Sequence, residues 1–240
     1  YDPAYGYEIG HIVRSGLDRM YGGQHPDPNV MYYITVYNEP AVQPVEPENV
    51  DVDGIVRGIH RISVGTGPEG APRANLFASG VGVAWALEAQ QLLRDDWGVA
   101  ADVWSVTSWT ELRRDGLAAD EHNFLHPDAE PRTAYLTEKL RDATGPVIAV
   151  GDWMHAVADQ IRPWVPQRFA TLGADGFGFS DTRAAARRFF KIDGPSLVVR
   201  TLQSLAEEGL VERSRSAEAI EKYRLHDVNA GTSGNAGGES

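Results

Sequence analysis

Three stretches of the sequence combine residue types and spacings from which a binding or catalytic site can be built. Residues 79–82 (Ser-Gly-Val-Gly) join a predicted strand to a predicted helix, where backbone amides can hold a phosphate. A dinucleotide-binding fingerprint would continue with glycine or alanine at position 85, where Trp85 stands instead. The bulky indole favours close packing of a tight turn over a nucleotide site.

The second stretch lies at the end of residues 30–37. These residues are an almost continuous apolar run, which predicts a central parallel strand buried on both faces. Tyr37, Asn38 and Glu39 stand at the carboxyl end of this run. Open α/β sheets bind ligands at the carboxyl ends of their strands, so these three residues are candidates for a pocket edge. A strand-ending turn containing Asn38 and Pro40 explains the same residues equally well.

The third stretch is a glycine-rich loop, residues 173–181, between a predicted short strand and a predicted helix. Ser180 or Asp181 is expected to cap that helix. Phe177 and Phe179 are costly to leave in water, which favours a loop that packs against a partner domain, although capping alone explains the polar residues. The candidate domain-packing residues are Asp175, Phe177, Phe179, Ser180 and Asp181.

Other signals for chemistry are weak. His122 and His126 have the spacing of zinc ligands on one helix face, but no third ligand has a clear spacing. Asn123 and Pro127 favour a loop leaving a helix instead. The sequence has no Gly-x-Ser-x-Gly elbow, no Walker motif and no cysteine. Hydrolase, nucleoside-triphosphatase and thiolate-metal chemistry therefore have no basis in the sequence.

Composition narrows the class of protein further. No apolar run reaches the roughly 20 residues of a membrane helix. A formal charge of −12, with no cluster of Lys or Arg, disfavours nucleic acid as a partner. We expect a cytoplasmic protein, because no signal peptide is recognisable.

The elements that must position these residues alternate along the chain. Predicted strands span 30–37, 58–64, 73–79, 101–106, 146–150 and 169–172, the second and third of them pairing around a turn at 65–70. Predicted helices span 4–21, 81–97, 110–117, 133–142, 154–165, 182–190, 195–208 and 217–223. This alternation indicates an α/β protein, a three-layer αβα domain with a mostly parallel sheet.

Four regions are predicted from these patterns. Residues 1–38 supply the last helix and strand of one α/β domain, 39–53 an acidic, proline-rich linker, 54–224 the αβα domain, and 225–240 a flexible tail. A long surface loop is the alternative for the linker. Because the chain opens at Tyr1 and runs straight into an amphipathic helix, we expect it to be part of a longer protein.

Long stretches of the chain resemble a known family. They are residues 2–8 (DPAYGYE), 16–22 (GLDRMYG), 32–39 (YYITVYNE), 102–112 (DVWSVTSWTEL), 114–116 (RDG), 172–178 (LGADGFG) and 180–183 (SDTR). From Tyr1 to about Tyr223 the chain is similar to the carboxy-terminal part of homodimeric, acetyl-transferring pyruvate dehydrogenase subunits, which are similar to transketolase.

The resemblance implies a fold and an activity. Residues 54–224 would be the transketolase C-terminal-like domain, and residues 1–38 the end of the middle, pyrimidine-binding domain. The parent enzyme would oxidatively decarboxylate pyruvate with thiamin diphosphate and Mg²⁺ and pass the acetyl group to dihydrolipoyl acetyltransferase. It would act as a cytoplasmic homodimer.

The family's magnesium and diphosphate motif, its catalytic glutamate and its histidine-rich segment match nothing in this chain. The resemblance therefore carries over no catalytic, cofactor-binding or metal-binding residue. It implies that this chain alone binds no cofactor and serves dimerisation and packing against the remaining domains. A free-standing, non-catalytic α/β interaction domain is the alternative.

Overall fold

The computed structural model describes residues 1–22 and 26–231. The helices are α1 (Gly6–Tyr21), α2 (Val52–Arg57), α3 (Gly82–Trp97), α4 (Trp109–Leu125), α5 (Tyr135–Lys139), α6 (His155–Asp159), α7 (Arg183–Phe190), α8 (Gly194–Glu207) and α9 (Ser214–Lys222). The strands are β1 (His60–Ser63), β2 (Arg73–Ala78), β3 (Ala100–Ser105), β4 (Val147–Val150) and β5 (Phe169–Leu172). Short 3₁₀ turns occupy Arg162–Trp164 and Val228–Ala230.

The five strands form one sheet in the order β1-β3-β2-β4-β5. Strands β2 to β5 are parallel, and β1 pairs antiparallel with β3 at the edge. Leu76 and Phe77 of β2 point to opposite faces, and both are completely buried. Leu76 packs with α3 and α8, whereas Phe77 packs in a second cluster with residues of α4 and α5. The expected three-layer αβα domain with a mostly parallel sheet is confirmed.

The predicted pairing of the strands at 58–64 and 73–79 is wrong. Strand β3 lies between β1 and β2, so the two do not form a hairpin. Asp102 of β3 holds the connection in this path, because its Oδ1 accepts hydrogen bonds from Gly65 N at 2.8 Å and Arg73 Nη2 at 2.7 Å. A buried carboxylate on the intervening strand thus anchors the segment that steps across it.

The predicted strand at 30–37 is also wrong. These residues form neither helix nor strand, and they belong to no sheet among the described residues. Thr35 N donates to Tyr1 O at 3.0 Å, while the side chains of Met31, Tyr33 and Val36 are exposed. An apolar run favours extended backbone, yet a strand also needs a neighbour to take its hydrogen bonds. The last strand of a second α/β domain is therefore not formed in this chain.

Several helix lengths differ from prediction. Helix α4 extends to Leu125, so His122 lies within the helix rather than in a loop. Gly116 lies inside α4, and its bare Cα lies against the Trp164 ring, which leaves no room for a side chain. The helix predicted at 154–165 divides into α6 and a 3₁₀ turn where Pro163 lacks an amide hydrogen.

The end of the chain is described as far as residue 231. Leu225 is buried in the core beside α8 and α9, and the 3₁₀ turn Val228–Ala230 lies against α7. The remainder of the predicted flexible tail, residues 232–240, lies outside the described residues. No helix in the described ranges is long and apolar enough to cross a membrane.

Candidate functional site

The candidate site lies at the carboxyl edge of the sheet, between β2 and β4. The chain leaves β2 toward β3 on one side and later places β4 and β5 on the other, so this gap is the topological switch point. Open α/β sheets characteristically bind ligands at such a point. We call the gap between residues 79–80 and residues 151–153 the switch-point crevice.

Asp2 fills the switch-point crevice. Asp2 is only 6 % exposed. Asp2 N donates to Thr107 O at 2.7 Å, and Asp2 O accepts from Gly80 N at 3.0 Å. The backbone of the first residues is therefore clamped between the segments that follow β3 and β2.

The Asp2 carboxylate receives three hydrogen bonds. Thr35 Oγ1 and Tyr37 Oη donate to Oδ1 at 2.5 and 2.7 Å, and Trp153 Nε1 donates to Oδ2 at 2.9 Å. These donors come from two distant parts of the chain. We call Asp2, Thr35, Tyr37, Asp152 and Trp153 the Asp2 cluster.

Tyr37 joins this cluster to the β2–α3 turn. Gly80 has a φ of +50°, and a Cβ at this position would lie closer than 3.0 Å to the Tyr37 ring and hydroxyl. Burial, followed by the charge of Asp2, raises the pKa of Tyr37 above its usual value. The hydroxyl therefore remains a proton donor at physiological pH.

Three amides of the β2–α3 turn are engaged within the chain. Gly82 N donates to Ser79 O at 2.9 Å, Val83 N donates to Gly80 O at 3.2 Å, and Gly80 N is held by Asp2. Trp85, one helical turn later, is buried in the core. These contacts are those of a tightly packed turn, the interpretation that the sequence favours.

The other two candidates for the pocket edge lie beyond Tyr37. Glu39 forms an ion pair with Arg187, whose guanidinium lies 4.9 Å from the centre of the Trp85 ring. Asn38 is exposed and accepts a hydrogen bond from Arg183 Nη2 at 3.4 Å. Tyr37 and Glu39 both line a cavity of about 680 Å³ between the start of α1 and α3, whereas Asn38 does not.

A second cavity borders the Asp2 cluster on another side. It has a volume of about 620 Å³, and Asp2, Thr35 and Trp153 contribute to its wall. Trp109, whose Nε1 donates to Ser79 Oγ at 3.1 Å, also lines it. Both volumes are in the range of small-molecule sites.

Asp152 supplies a second carboxylate to the cluster, 3.3 Å from Tyr37 Oη. Although Asp152 is an exposed residue, partial loss of hydration, followed by the charge of Asp2, raises its pKa above the ordinary 3.8. A raised pKa in the folded state contributes stability below pH 3.8, and this contribution is lost as pH rises through the raised value. At neutral pH the ionised Asp152 therefore opposes folding slightly.

Replacing Asp152 by asparagine is accordingly expected to increase the free energy of unfolding at pH 7, by no more than about 1 kcal/mol because the side chain is exposed. The gain should shrink as pH falls, since the wild-type carboxyl then takes up its proton. Urea unfolding at pH 7 and pH 4.5 measures both values. Asp142→Asn, at an exposed acid in a turn, serves as a control that should show no such trend, and an equal effect at both pH values would contradict the expectation.

The glycine-rich loop is organised differently from expectation. Thr182 caps α7, since its Oγ1 accepts from Ala185 N at 3.2 Å, so the expected capping by Ser180 or Asp181 is wrong. Thr182 is closer to the first helical amides, and Asp181 accepts from Thr182 N instead. Asp175 anchors the other end of the loop through His155, with Oδ2 2.6 Å from Nδ1.

The two phenylalanines of this loop have different surroundings. Phe177 is fully exposed, whereas Phe179 stacks on Phe189 of α7 with ring centroids 4.3 Å apart. Ser180 is also exposed. Packing of this loop against a partner domain stays a prediction.

The histidine pair lies side by side at the end of α4. The rings of His122 and His126 lie 4.8 Å apart at the end of α4. Within residues 1–22 and 26–231, no group of three or more His, Cys, Asp or Glu side chains is arranged to hold a metal ion.

Sequence reasoning missed four members of the Asp2 cluster: Asp2, Thr35, Asp152 and Trp153. Asp152 and Trp153 were detectable, because they follow a strand at the edge where α/β sheets bind ligands. No local sequence pattern identifies Asp2 or Thr35. They reach the crevice only because α1 and residues 30–37 fold back onto the sheet.

Comparison with known proteins identifies relatives. Residues 58–193 match the family model described as "Transketolase-like TK C-terminal domain". The chain is 55 % identical over 231 residues to the pyruvate dehydrogenase E1 component of Mycolicibacterium smegmatis, and 54 % identical over 230 residues to that of Mycobacterium tuberculosis. Each alignment covers 96 % of this chain and 24 % of the relative. The chain thus spans about a quarter of the length of these relatives.

Solved structures share the fold. Transketolase from Leishmania mexicana matches 86 % of this chain and 25 % of its own with a TM-score of 0.54 at 15 % identity. A transketolase variant from Pichia stipitis in complex with a sugar phosphate matches the same shares with a TM-score of 0.55 at 16 % identity. At these identities the likeness concerns the fold alone.

Proposed function

The chain belongs to the transketolase-like TK C-terminal domain family, and we propose that it is the carboxy-terminal part of a pyruvate dehydrogenase E1 component. The observation that supports this proposal is 55 % identity, sustained over 96 % of the chain, with a protein of that name. The matching stretch includes α1 and residues 30–37 as well as the sheet. Such a match is far more specific than the shared fold.

The activity we propose belongs to the longer enzyme. That enzyme oxidatively decarboxylates pyruvate with thiamin diphosphate and Mg²⁺ and transfers the acetyl group to the lipoyl group of dihydrolipoyl acetyltransferase. It acts as a cytoplasmic homodimer. Thiamin diphosphate, when bound, supplies the carbanion that attacks the keto carbon and the electron sink for decarboxylation.

The residues that the structure describes do not fit that cofactor. A Mg²⁺ site needs several oxygen ligands around one ion, and the described residues contain no cluster of three or more acids or histidines with that arrangement. Three amides at the β2–α3 turn, the natural place for a diphosphate, donate within the chain to Asp2, Ser79 and Gly80. We therefore propose that other parts of the enzyme hold the cofactor and that this chain supports dimerisation and domain packing.

Residues 1–38 are proposed to complete the middle domain of the enzyme, with 39–53 as the linker and 54–224 as the C-terminal-like domain. The segment at residues 30–37 supports this division. Met31, Tyr33 and Val36 are 93, 77 and 73 % exposed, an apolar surface that packing against other parts of the enzyme would cover. Phe177, fully exposed in the glycine-rich loop, is a further candidate contact with that domain.

A chimeric enzyme tests the proposal. This chain would replace the 231 matched residues of the Mycolicibacterium smegmatis E1 component. We expect the chimera to oxidise pyruvate with kcat/KM within about tenfold of the intact enzyme, a loss of less than about 1.4 kcal/mol in transition-state stabilisation. The mycobacterial enzyme lacking the matched residues is the negative control. A folded chimera that binds thiamin diphosphate but is inactive would support a free-standing interaction domain instead.

The 240-residue chain alone is expected to bind no thiamin diphosphate, because the donors that hold its diphosphate and metal are proposed to lie elsewhere. Titration calorimetry with thiamin diphosphate and Mg²⁺ measures this directly. The active chimera is the matched positive control. Micromolar binding by the isolated chain would contradict the assignment of its role.

A further inference from the structure

A side chain that caps a helix accepts hydrogen bonds from backbone amides. The carboxylate of Asp2 accepts from three side chains instead, which is the arrangement of a ligand-binding site. Thr35 Oγ1, Tyr37 Oη and Trp153 Nε1 converge on one carboxylate, and none of them is charged. A carboxylate has about four lone-pair positions, so these donors fill three of them. Hydrogen bonds to an ionised acceptor are roughly twice as strong as neutral ones.

The position of these donors is equally informative. They lie at the switch point, where other α/β sheets receive a soluble ligand. Here the buried acceptor belongs to the chain itself. We propose that the switch-point crevice is a carboxylate receptor and that the side chain of Asp2 is its built-in ligand.

The charges around the crevice restrict the class of ligand. Three neutral donors stabilise one negative charge, while Asp152, which lies 3.3 Å from Tyr37 Oη, opposes a second. Burial, followed by the charge of Asp2, raises the pKa of Asp152, and Arg187 only partly offsets this rise. The receptor therefore accepts a planar monocarboxylate, such as formate or acetate, in preference to the multiply charged phosphate or sulfate.

Removal of the built-in ligand exposes the receptor. In an Asp2→Gly variant the three donors lose their acceptor, and sodium formate should take its place. With about 100 mM formate and a Kd of about 10 mM, the ratio of folded to unfolded protein rises about tenfold. Sodium chloride and sodium sulfate at equal ionic strength should not reproduce this rise.

The indole N–H resonance of Trp153 in a ¹⁵N NMR spectrum reports the receptor independently of stability. We expect it to move in Asp2→Gly and to return toward its wild-type position as formate is added. If Asp2→Gly unfolds without formate, the recovery of a dispersed spectrum during the titration reports the same event.

Two control variants sharpen the test. Asp2→Gly combined with Trp153→Phe lacks the indole donor, so formate should restore less stability. Asp181→Gly removes an exposed carboxylate that accepts only a local backbone hydrogen bond in this structure, and it should respond equally to formate and chloride. Equal effects of formate and chloride on Asp2→Gly, with no movement of the Trp153 resonance, would overturn the proposal. This outcome is independent of the chimera experiment, because the receptor needs no pyruvate chemistry.

Discussion

Replacement of Arg188 by alanine is expected to lower the free energy of unfolding by about 3–5 kcal/mol. The Arg188 side chain is completely buried, and its Nε donates to Asp193 Oδ2 at 2.7 Å. Asp193 is equally buried and caps α8 through Ser196 N at 3.1 Å. The alanine variant leaves the Asp193 charge buried without its partner, which is the costly step.

Arg188 also joins α7 to the segment that follows α9. Its Nη1 donates to Tyr223 O at 2.8 Å and Arg224 O at 3.1 Å, beyond the end of α9. Loss of the guanidinium therefore leaves two carbonyl groups without this donor. The effect should appear both as lower stability and as faster amide exchange in α9.

Chemical unfolding followed by circular dichroism measures the change. Arg141→Ala is the matched control, because Arg141 is 70 % exposed and its ion pair with Glu138 spans 3.9 Å. An exposed pair of this kind contributes about 0–1 kcal/mol. Arg188→Ala combined with Asp193→Ala should recover part of the loss, since no lone charge remains. A loss of less than 1 kcal/mol in Arg188→Ala would show that Asp193 finds another partner.

The elements that the sequence predicts well are those whose signals are local. The sequence predicts β5 residue for residue as 169–172 and α8 within one residue at each end, since Pro195 stands in the first turn of α8 and Gly209 follows its C-cap residue. Segment 30–37 has an equally strong apolar pattern, but a strand also depends on a neighbour, which no local pattern encodes. The close fit of Gly116 against Trp164, far along the chain, is likewise a tertiary contact that no local pattern encodes.

The candidate site follows the same distinction. Tyr37 is identified because it ends an apolar run, although the strand on which that argument depends is not formed. Its actual position results from contacts with Asp2 and Gly80, and these residues are joined only by tertiary structure. The sequence therefore indicates which edge of a sheet to inspect, while the partners depend on how distant segments meet there.

The contact between Gly80 and Tyr37 gives the second large expected effect. Gly80→Ala places a Cβ closer than 3.0 Å to the Tyr37 ring and hydroxyl, at a φ of +50°. The left-handed backbone costs about 1–2 kcal/mol and the collision about 1–3 kcal/mol more, so we expect a total loss of about 2–5 kcal/mol. Tyr37 cannot move aside without lengthening its 2.7 Å hydrogen bond to Asp2.

Two other glycines separate these contributions. Gly70 and Gly98 have φ values of +74° and +63°, and an added Cβ would meet nothing within 4 Å at either position. Gly70→Ala and Gly98→Ala should therefore show the backbone cost of about 1–2 kcal/mol alone. If Gly80→Ala is no worse than these two, the Tyr37 ring does not constrain the turn.

A double-mutant cycle with Tyr37 assigns the part of the Gly80→Ala loss that exceeds the backbone cost to the Asp2 cluster. Tyr37→Ala removes the obstacle, so Gly80→Ala should cost about 1–3 kcal/mol less in that background than in the wild type, within the range of coupling for contacting residues. Tyr37→Phe keeps the ring but removes the hydroxyl, which frees the ring to shift and should recover only part of this coupling. Urea unfolding of the four variants of the cycle measures the coupling. If the effects of Gly80→Ala and Tyr37→Ala on the free energy of unfolding are simply additive, Tyr37 does not transmit strain from the β2–α3 turn to the carboxylate receptor.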